Sequence, residues 1–271
     1  MSNNLFSVKD KVIILTGGSG ILGSCMAQHL AEEGAAVVIL DSNDTAGKAM
    51  EEEIKNKGGK ALFLYTDVLN KQILEANAKA IIDAFGEINV LINLAGGNMP
   101  GATIPPDKTF FDLDIEAFRK VVDLNLFGTV IPTMVFARFM VEKKKGSIIN
   151  ISSESALRPL TRVIGYGAAK AAINNFTQSM AGELAIKFGE GLRVNAIAPG
   201  FFLTEQNRAL MANPDGTPTD RCKTVIAHTP FRRLGQPEEL LGVVQFLAAD
   251  ASAFITGTVI PIDGGFDAFS I

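Results

Sequence analysis

Tyr166 and Lys170, in the run Tyr166-Gly167-Ala168-Ala169-Lys170, stand four residues apart, so on a helix they share one face. A phenol with an ordinary pKa of about 10 is a poor base near neutrality. A cation one helical turn away favours the phenolate and is expected to lower that value. Ser153, 13 residues before the tyrosine, adds a hydroxyl able to orient a carbonyl oxygen and steady charge developing on it. Asn125 lies within an apolar helical pattern upstream. Each residue alone has a plainer reading: a core tyrosine, a solvated lysine, a serine helix cap, a satisfied core amide. Together they form a proton-exchanging group aimed at a carbonyl or hydroxyl.

The elements that must position them alternate regularly. Val12 to Leu15, Ala36 to Leu40, Ala61 to Leu64, Val90 to Ile92, Ser147 to Ile151, Arg193 to Ile197 and Val259 to Ile262 are short apolar runs, predicted as seven strands buried on both faces. Helical patterns separate them, the long ones being Ile115 to Glu142 and Tyr166 to Lys187. The order predicts an α/β chain: one doubly wound domain over residues 1–271, a seven-stranded parallel sheet with helices on both faces. Residues 201–233 interrupt the rhythm after a strand, are polar, and carry Pro214, Pro218 and Pro230. An insertion at a strand's C-terminal end is placed where open α/β sheets bind ligands, so it is expected to act as a lid.

The first strand ends in Thr16-Gly17-Gly18-Ser19-Gly20-Ile21-Leu22-Gly23 before an amphipathic helix. Glycines there let backbone N–H groups approach a pyrophosphate at the helix N-terminus. Asp41 follows the second strand, 24 positions after Gly17. Its carboxylate suits adenosine ribose hydroxyls and repels a 2′-phosphate, and Ser42 and Asn43 offer no cation to neutralise one. NAD is therefore expected over NADP, although a helix cap or a solvated turn would also explain Asp41 alone.

Composition limits the alternatives. The 271 residues are 47% hydrophobic and 20% charged, enough apolar content to exclude disorder as the dominant state. A net charge of −4 argues against a nucleic-acid partner. Cys25 and Cys222 are unclustered, which fits a reducing compartment and gives no metal-ligand spacing. No secretory signal is read in Met1 to Lys11, and no apolar run is expected to span a membrane, so a cytoplasmic location is expected.

The chain resembles the short-chain dehydrogenase/reductase family along essentially its whole length. The resemblance is carried by Thr16 to Gly23, Asp67-Val68, Asn93-Leu94-Ala95-Gly96, Asn125, Ser153, Tyr166, Lys170, Pro199-Gly200 and Asp263-Gly264-Gly265. It implies a Rossmann fold and catalysis by Asn125, Ser153, Tyr166 and Lys170. Asn125 would position a water linking Lys170 to solvent, and Lys170 would also bond the nicotinamide ribose. It implies cofactor contacts from Gly17, Ser19, Gly20, Ile21, Leu22, Gly23 and Asp41. Asp67 and Val68 would flank the adenine; Asn93, Ala95 and Gly96 would line the adenosine and ribose side. Pro199, Gly200, Phe202 and Thr204 would hold the nicotinamide amide, chiefly through backbone. Two positions depart from the family pattern: Ile21 stands where glycine is usual, and Leu94 where asparagine is common. A homotetramer is also implied, with the two long helices at an interface.

Residues 96–103, 199–208, His228-Thr229-Pro230 and the tail Asp263 to Phe266 look like the sugar-acid branch of that family, in particular D-mannonate oxidoreductases. This implies NAD(H)-dependent interconversion of D-fructuronate and D-mannonate. Asn98 and His228 are candidate substrate contacts, and Arg158 or Arg208 would grip the carboxylate unless each makes an ion pair instead. His29, inside the first helix, is expected at the surface or partly packed. Other readings are a gluconate 5-dehydrogenase-like polyol or sugar-acid enzyme, a 3-oxoacyl-carrier reductase, and a nucleotide-sensing scaffold. The carrier reductase would want NADPH and a basic docking patch; the scaffold would normally have lost Tyr166 or Lys170.

Overall fold

A computed structural model describes residues 4–203 and 208–269. Seven parallel strands stand in the order β3-β2-β1-β4-β5-β6-β7: β1 Val12–Thr16, β2 Ala36–Asp41, β3 Lys60–Tyr65, β4 Val90–Asn93, β5 Gly146–Ile151, β6 Leu192–Pro199 and β7 Val259–Ile262. All seven predicted strands are present. Between them run α1 Ile21–Glu32, α2 Asp44–Asn56, α3 Lys71–Phe85, α4 Ile115–Val122, α5 Gly128–Lys143, α6 Ile164–Phe188, α7 Arg208–Met211, α8 Asp220–His228 and α9 Leu241–Ala248.

Alternate residues of each strand serve the two faces. Ile13, Leu15, Val37 and Ile39 pack with α1 and α9 residues such as Met26, Leu30, Val244 and Leu247. Val12, Ile14, Val38 and Leu40 pack with Leu74, Ile81, Phe136, Met140 and Leu184 on the other side. Both faces being covered is why the central strands read as unbroken apolar runs. The expectation of two-faced burial fails at the edges. β3 is exposed at Lys60 and Tyr65, and β7 is only half buried, because an outer strand has a neighbour on one side only.

The predicted long helix from 115 is interrupted. Asp123–Phe127 is a π-helical turn in which the Gly128 amide donates five residues back to Asp123. A single π-turn shifts the register by one residue over one turn, too local a change for an apolar pattern of this length to mark. The stretch Ile115–Lys143 is long and apolar enough to cross a membrane by length and composition, contrary to expectation, but half of its most apolar part is buried inside the protein. Packing on β4, β5 and α3 marks it as a core helix.

Strand order reverses between β1 and β4, which opens a crevice beyond their C-terminal ends. Thr16, fully buried, fixes that fork: its hydroxyl oxygen accepts from the amides of Leu94 and Ala95, both at 3.1 Å. Below it lies a buried polar row. Asn93 Nδ2 donates to Asn150 Oδ1 and Thr133 Oγ1, and Asn150 Nδ2 donates to Thr177 Oγ1, each at 2.9 Å.

Candidate active site

The turn after β1 is built for close approach. Gly17 has φ +67°, and a Cβ there would stand 2.9 Å from the Ala95 Cα. A Cβ on Gly23 would meet the Gly17 carbonyl at 2.4 Å, so this glycine lets α1 lie against the turn. The first intrahelical bond of α1 runs from Ser24 to Gly20. In the turn itself Gly17 N and Gly20 N donate to Leu40 O and Gly17 O, so the amides left for an anion are those of Ile21, Leu22 and Gly23, which precede that first bond, and no acidic residue stands in the first turn of α1. Gly20 is the extended N-cap, and Ile21, in the family's glycine place, is 38% exposed at the first helical position. Its side chain reaches solvent and does not fill the turn. The Asp41 carboxylate accepts from Ser19 N and Asn43 N, both at 3.0 Å, tying the glycine turn to β2. These features fit a dinucleotide: pyrophosphate on the helix end, ribose beside Asp41.

Farther along the crevice, Val68 is buried against Gly128, while Asp67 is exposed and caps its own turn through Leu69 N. The Asn93 side chain points into the buried polar row, so its carboxamide does not line the crevice as expected. Gly96 lies against Asn125 and Lys170: a Cβ there would stand 2.6 Å from Asn125 Oδ1 and 3.3 Å from Lys170 Nζ. Gly200 is pressed against Asp263, and the Phe202 ring is buried against Gly235, leaving backbone as what Phe202 can offer a ligand. Thr204 lies outside the described residues.

Ser153, Tyr166 and Lys170 come together. Ser153 lies two residues beyond β5 and caps a single 3-10 turn, its Oγ accepting from Ser155 N and Ser155 Oγ. Lys170 is 4% exposed; its Nζ lies 5.5 Å from the centre of the Tyr166 ring and donates to the Ile151 carbonyl at 2.7 Å. Burial pulls the Lys170 ammonium down to about 7. Burial also raises the Tyr166 phenol, with the hydrogen bond to Ser153 pulling the other way. The expectation that Lys170 lowers the tyrosine is therefore corrected for the cofactor-free crevice. Removal from water favours the neutral form of both groups, and a lysine near neutrality carries only part of its charge.

The π-turn aims Asn125 inward. Its Nδ2 donates to Gly97 O and Val121 O at 2.7 and 2.8 Å, and its Oδ1 accepts from Gly97 N at 3.1 Å. The carboxamide is thus a clamp on the loop after β4, occupied by protein groups.

The candidate substrate contacts divide. Asn98 donates to Thr103 and leaves its Oδ1 buried without a partner. His228, at the end of α8, is exposed with its ring near Phe266. Arg208 is exposed at the start of α7. Arg158 is held by Asp267, its Nε 2.8 Å from Oδ1, and so makes the ion pair that was its alternative reading. His29 is half-buried and paired with Gln245. The 201–233 segment is less polar in space than in sequence, because Met211, Cys222 and Val225 make a small core with Phe201, Ile226 and Leu234.

One acid was missed. Glu154, directly after Ser153, is 1% exposed, and neither carboxyl oxygen has a hydrogen-bond partner in good geometry. Burial first, then repulsion from Asp263 and Asp267, raises it to about 7, while Arg158 acts the other way. Its signal in the sequence is an acid two positions after the run Ile149 to Ser152, next to Ser153. Among the described residues, no three His, Cys, Asp or Glu are grouped to hold a metal.

A model of the family described as short chain dehydrogenase matches residues 11–215. The chain belongs to the short-chain dehydrogenase family. An uncharacterized oxidoreductase of Bacillus subtilis is 45% identical over 270 residues, covering 96% of each chain. A solved structure described as a candidate D-mannonate oxidoreductase from Haemophilus influenza, with bound NAD, is 43% identical, covers 97% of each chain and superposes with a TM-score of 0.92. A gluconate 5-dehydrogenase from Burkholderia cenocepacia, in complex with NADP and tartrate, is 29% identical with a TM-score of 0.88, over 98% of this chain and 99% of that one. An oxidoreductase of this family, with a Rossmann sheet, is thereby established.

Proposed function

We propose that this oxidoreductase uses NAD(H) to interconvert a keto sugar acid and its hydroxy form, D-fructuronate and D-mannonate. The observation that carries the reading is the meeting of Ser153, Tyr166 and Lys170 beside a dinucleotide-shaped crevice that ends in Asp41. Likeness to the NAD-bound structure supports the cofactor and the substrate class. The glycine turn and α1 amides would hold the pyrophosphate, Asp41 the adenosine ribose, and the backbone at Pro199, Gly200 and Phe202 the nicotinamide end. When bound, the cofactor supplies or accepts the hydride. Ser153 orients the substrate oxygen, and Tyr166 gives that oxygen a proton in reduction or takes one in oxidation. Lys170, titrating close to neutrality, exchanges the next proton with the tyrosine. Asn125 keeps Gly97 and the loop after β4 in place over them.

Residues 201–233 would close on the substrate as a lid, with their own small core keeping them together. A cytoplasmic homotetramer fits this reading, since Phe127 and Met134 remain exposed on the central helical stretch and Ile186 and Phe188 on α6. Likeness to gluconate 5-dehydrogenase favours a second reading, another sugar-acid or polyol dehydrogenase.

Steady-state kinetics separate these possibilities: D-fructuronate with NADH beside NADPH, then gluconate, 5-ketogluconate and neutral polyols. The reading expects turnover of D-fructuronate with NADH, and loss of roughly 10²–10⁴-fold in Tyr166→Phe with NADH binding retained. Activity confined to acyl-carrier substrates with NADPH would overturn it.

A further inference from the structure

Four arginines of the Ser153–Tyr166 turn and the 201–233 segment divide into two that are held by acids and two that are not. Arg158 is paired with Asp267, and Arg233 makes a two-pronged contact with Glu239 at 2.6 and 2.7 Å. Arg162 and Arg221 have no such acid: among the described residues no carboxylate pairs with either guanidinium. Arg162 lies in the turn between Ser153 and Tyr166, with φ +75°. Its carbonyl accepts from Ile104 N at 3.0 Å, which ties this turn to the segment after β4. Arg221 is on α8, and its Nη1 donates to Thr161 Oγ1 at 3.2 Å. That bond brings α8 against the same turn. Its Nε is buried with no hydrogen-bond partner. The nearest acid in sequence, Asp220, is taken by Lys223 at 3.0 Å. Burial and repulsion from Arg162 both act to lower the Arg221 pKa.

A buried guanidinium N–H without an acceptor, facing a second guanidinium, is costly without an anion. A carboxylate offers two oxygens and so can accept from both side chains. The two residues belong to different elements, Arg162 to the turn that leads to Tyr166 and Arg221 to α8 in the 201–233 segment. We infer that Arg162 and Arg221 together form the binding site for the substrate's carboxylate, held where α8 already meets the Ser153–Tyr166 turn. This rests on the sugar-acid reading above and assigns the carboxylate to residues other than Arg158.

The test compares wild type, Arg162→Gln and Arg221→Gln on D-fructuronate and on a neutral ketose, with NADH affinity measured by fluorescence. Each variant is expected to lose roughly 10- to 100-fold in kcat/KM for the acid, mostly through KM. Turnover of the neutral ketose and NADH affinity should stay unchanged, which also shows that the variants fold. An unchanged KM for the acid in both variants, or an equal loss on acid and ketose, overturns the site and leaves the sugar-acid reading intact. If the wild type instead turns over only a non-sugar hydroxy acid, and does so through both arginines, the sugar-acid reading fails and the site stands. A wild type active on neutral substrates alone refutes both.

Discussion

Replacing Glu154 by Gln should change how stability depends on pH. The carboxyl is 1% exposed, has no hydrogen-bond donor, and is repelled by Asp263 and Asp267. Asp263 itself stays a good acceptor, because its two oxygens take the amides of Gly265 and Asp267. Glu154 therefore answers burial and repulsion by holding its proton up to about 7 instead of 4.5. In acid below 4.5 both folded and unfolded chains are protonated there, and the contribution is complete. As pH rises toward 7 the unfolded chain ionises first, so stability falls, and above 7 the loss has run its course. At about 1.36 kcal/mol per pH unit the full loss is about 3 kcal/mol, of which roughly 2 kcal/mol falls between about pH 5.5 and about pH 8. Glutamine has the same shape and no such titration. Its packing effect is the same at both pH values, so the double difference isolates the proton. Relative to wild type, Glu154→Gln should gain roughly 4–8 °C in Tm on going from about pH 5.5 to about pH 8. Thermal unfolding at the two pH values reads this directly. Wild-type and variant profiles that run parallel would refute the reasoning.

Three further outcomes follow from the same geometry. Lys170→Met should abolish turnover yet stabilise the cofactor-free protein by about 2–4 kcal/mol at neutral pH, because burying the ammonium costs more than its bond to Ile151 O returns. Wild-type stability should rise from about pH 7 upward through this lysine, whose folded pKa lies below its unfolded one, and the variant should lack that rise; denaturation at two alkaline pH values checks both. Gly96→Ala places a methyl 2.6 Å from Asn125 Oδ1, so the buried carboxamide must shift; it should lower kcat by roughly 10²-fold and stability by about 1–3 kcal/mol, read by kinetics and thermal unfolding. Asp41→Asn should cut the preference for NADH over NADPH at least about tenfold, read as the ratio of the two kcat/KM values.

Much of the fold was legible because the chain's signals are local and repeated. Seven apolar runs became seven strands, and the glycines at 17 and 23 stand where backbone must pass backbone. Tyr166 and Lys170 were readable because spacing on one helix fixes their relation. What escaped depends on long-range packing. The π-turn at Asp123–Phe127 is a one-residue slip confined to a single turn of a long apolar pattern. The charge states of Tyr166 and Lys170 follow from how deeply they are buried, which spacing does not encode. Arg158 could not be told from Arg162, since only the folded tail brings Asp267 to the first and only α8 brings Arg221 toward the second. Glu154 looked like an ordinary loop acid until the surrounding elements enclosed it.

The buried row of Asn93, Asn150, Thr133 and Thr177 has a consequence for how the sheet assembles. Apolar strands of similar length are interchangeable partners as far as oil-like burial is concerned, and several staggered alignments of β4 and β5 would hide nearly the same area. Only one alignment sets Asn93 opposite Asn150. Sliding either strand by a residue would turn its amide toward the opposite apolar layer and strand it there without a partner. These side chains act as a key cut for a single lock position, so the fork that receives a dinucleotide is spaced correctly before any ligand arrives.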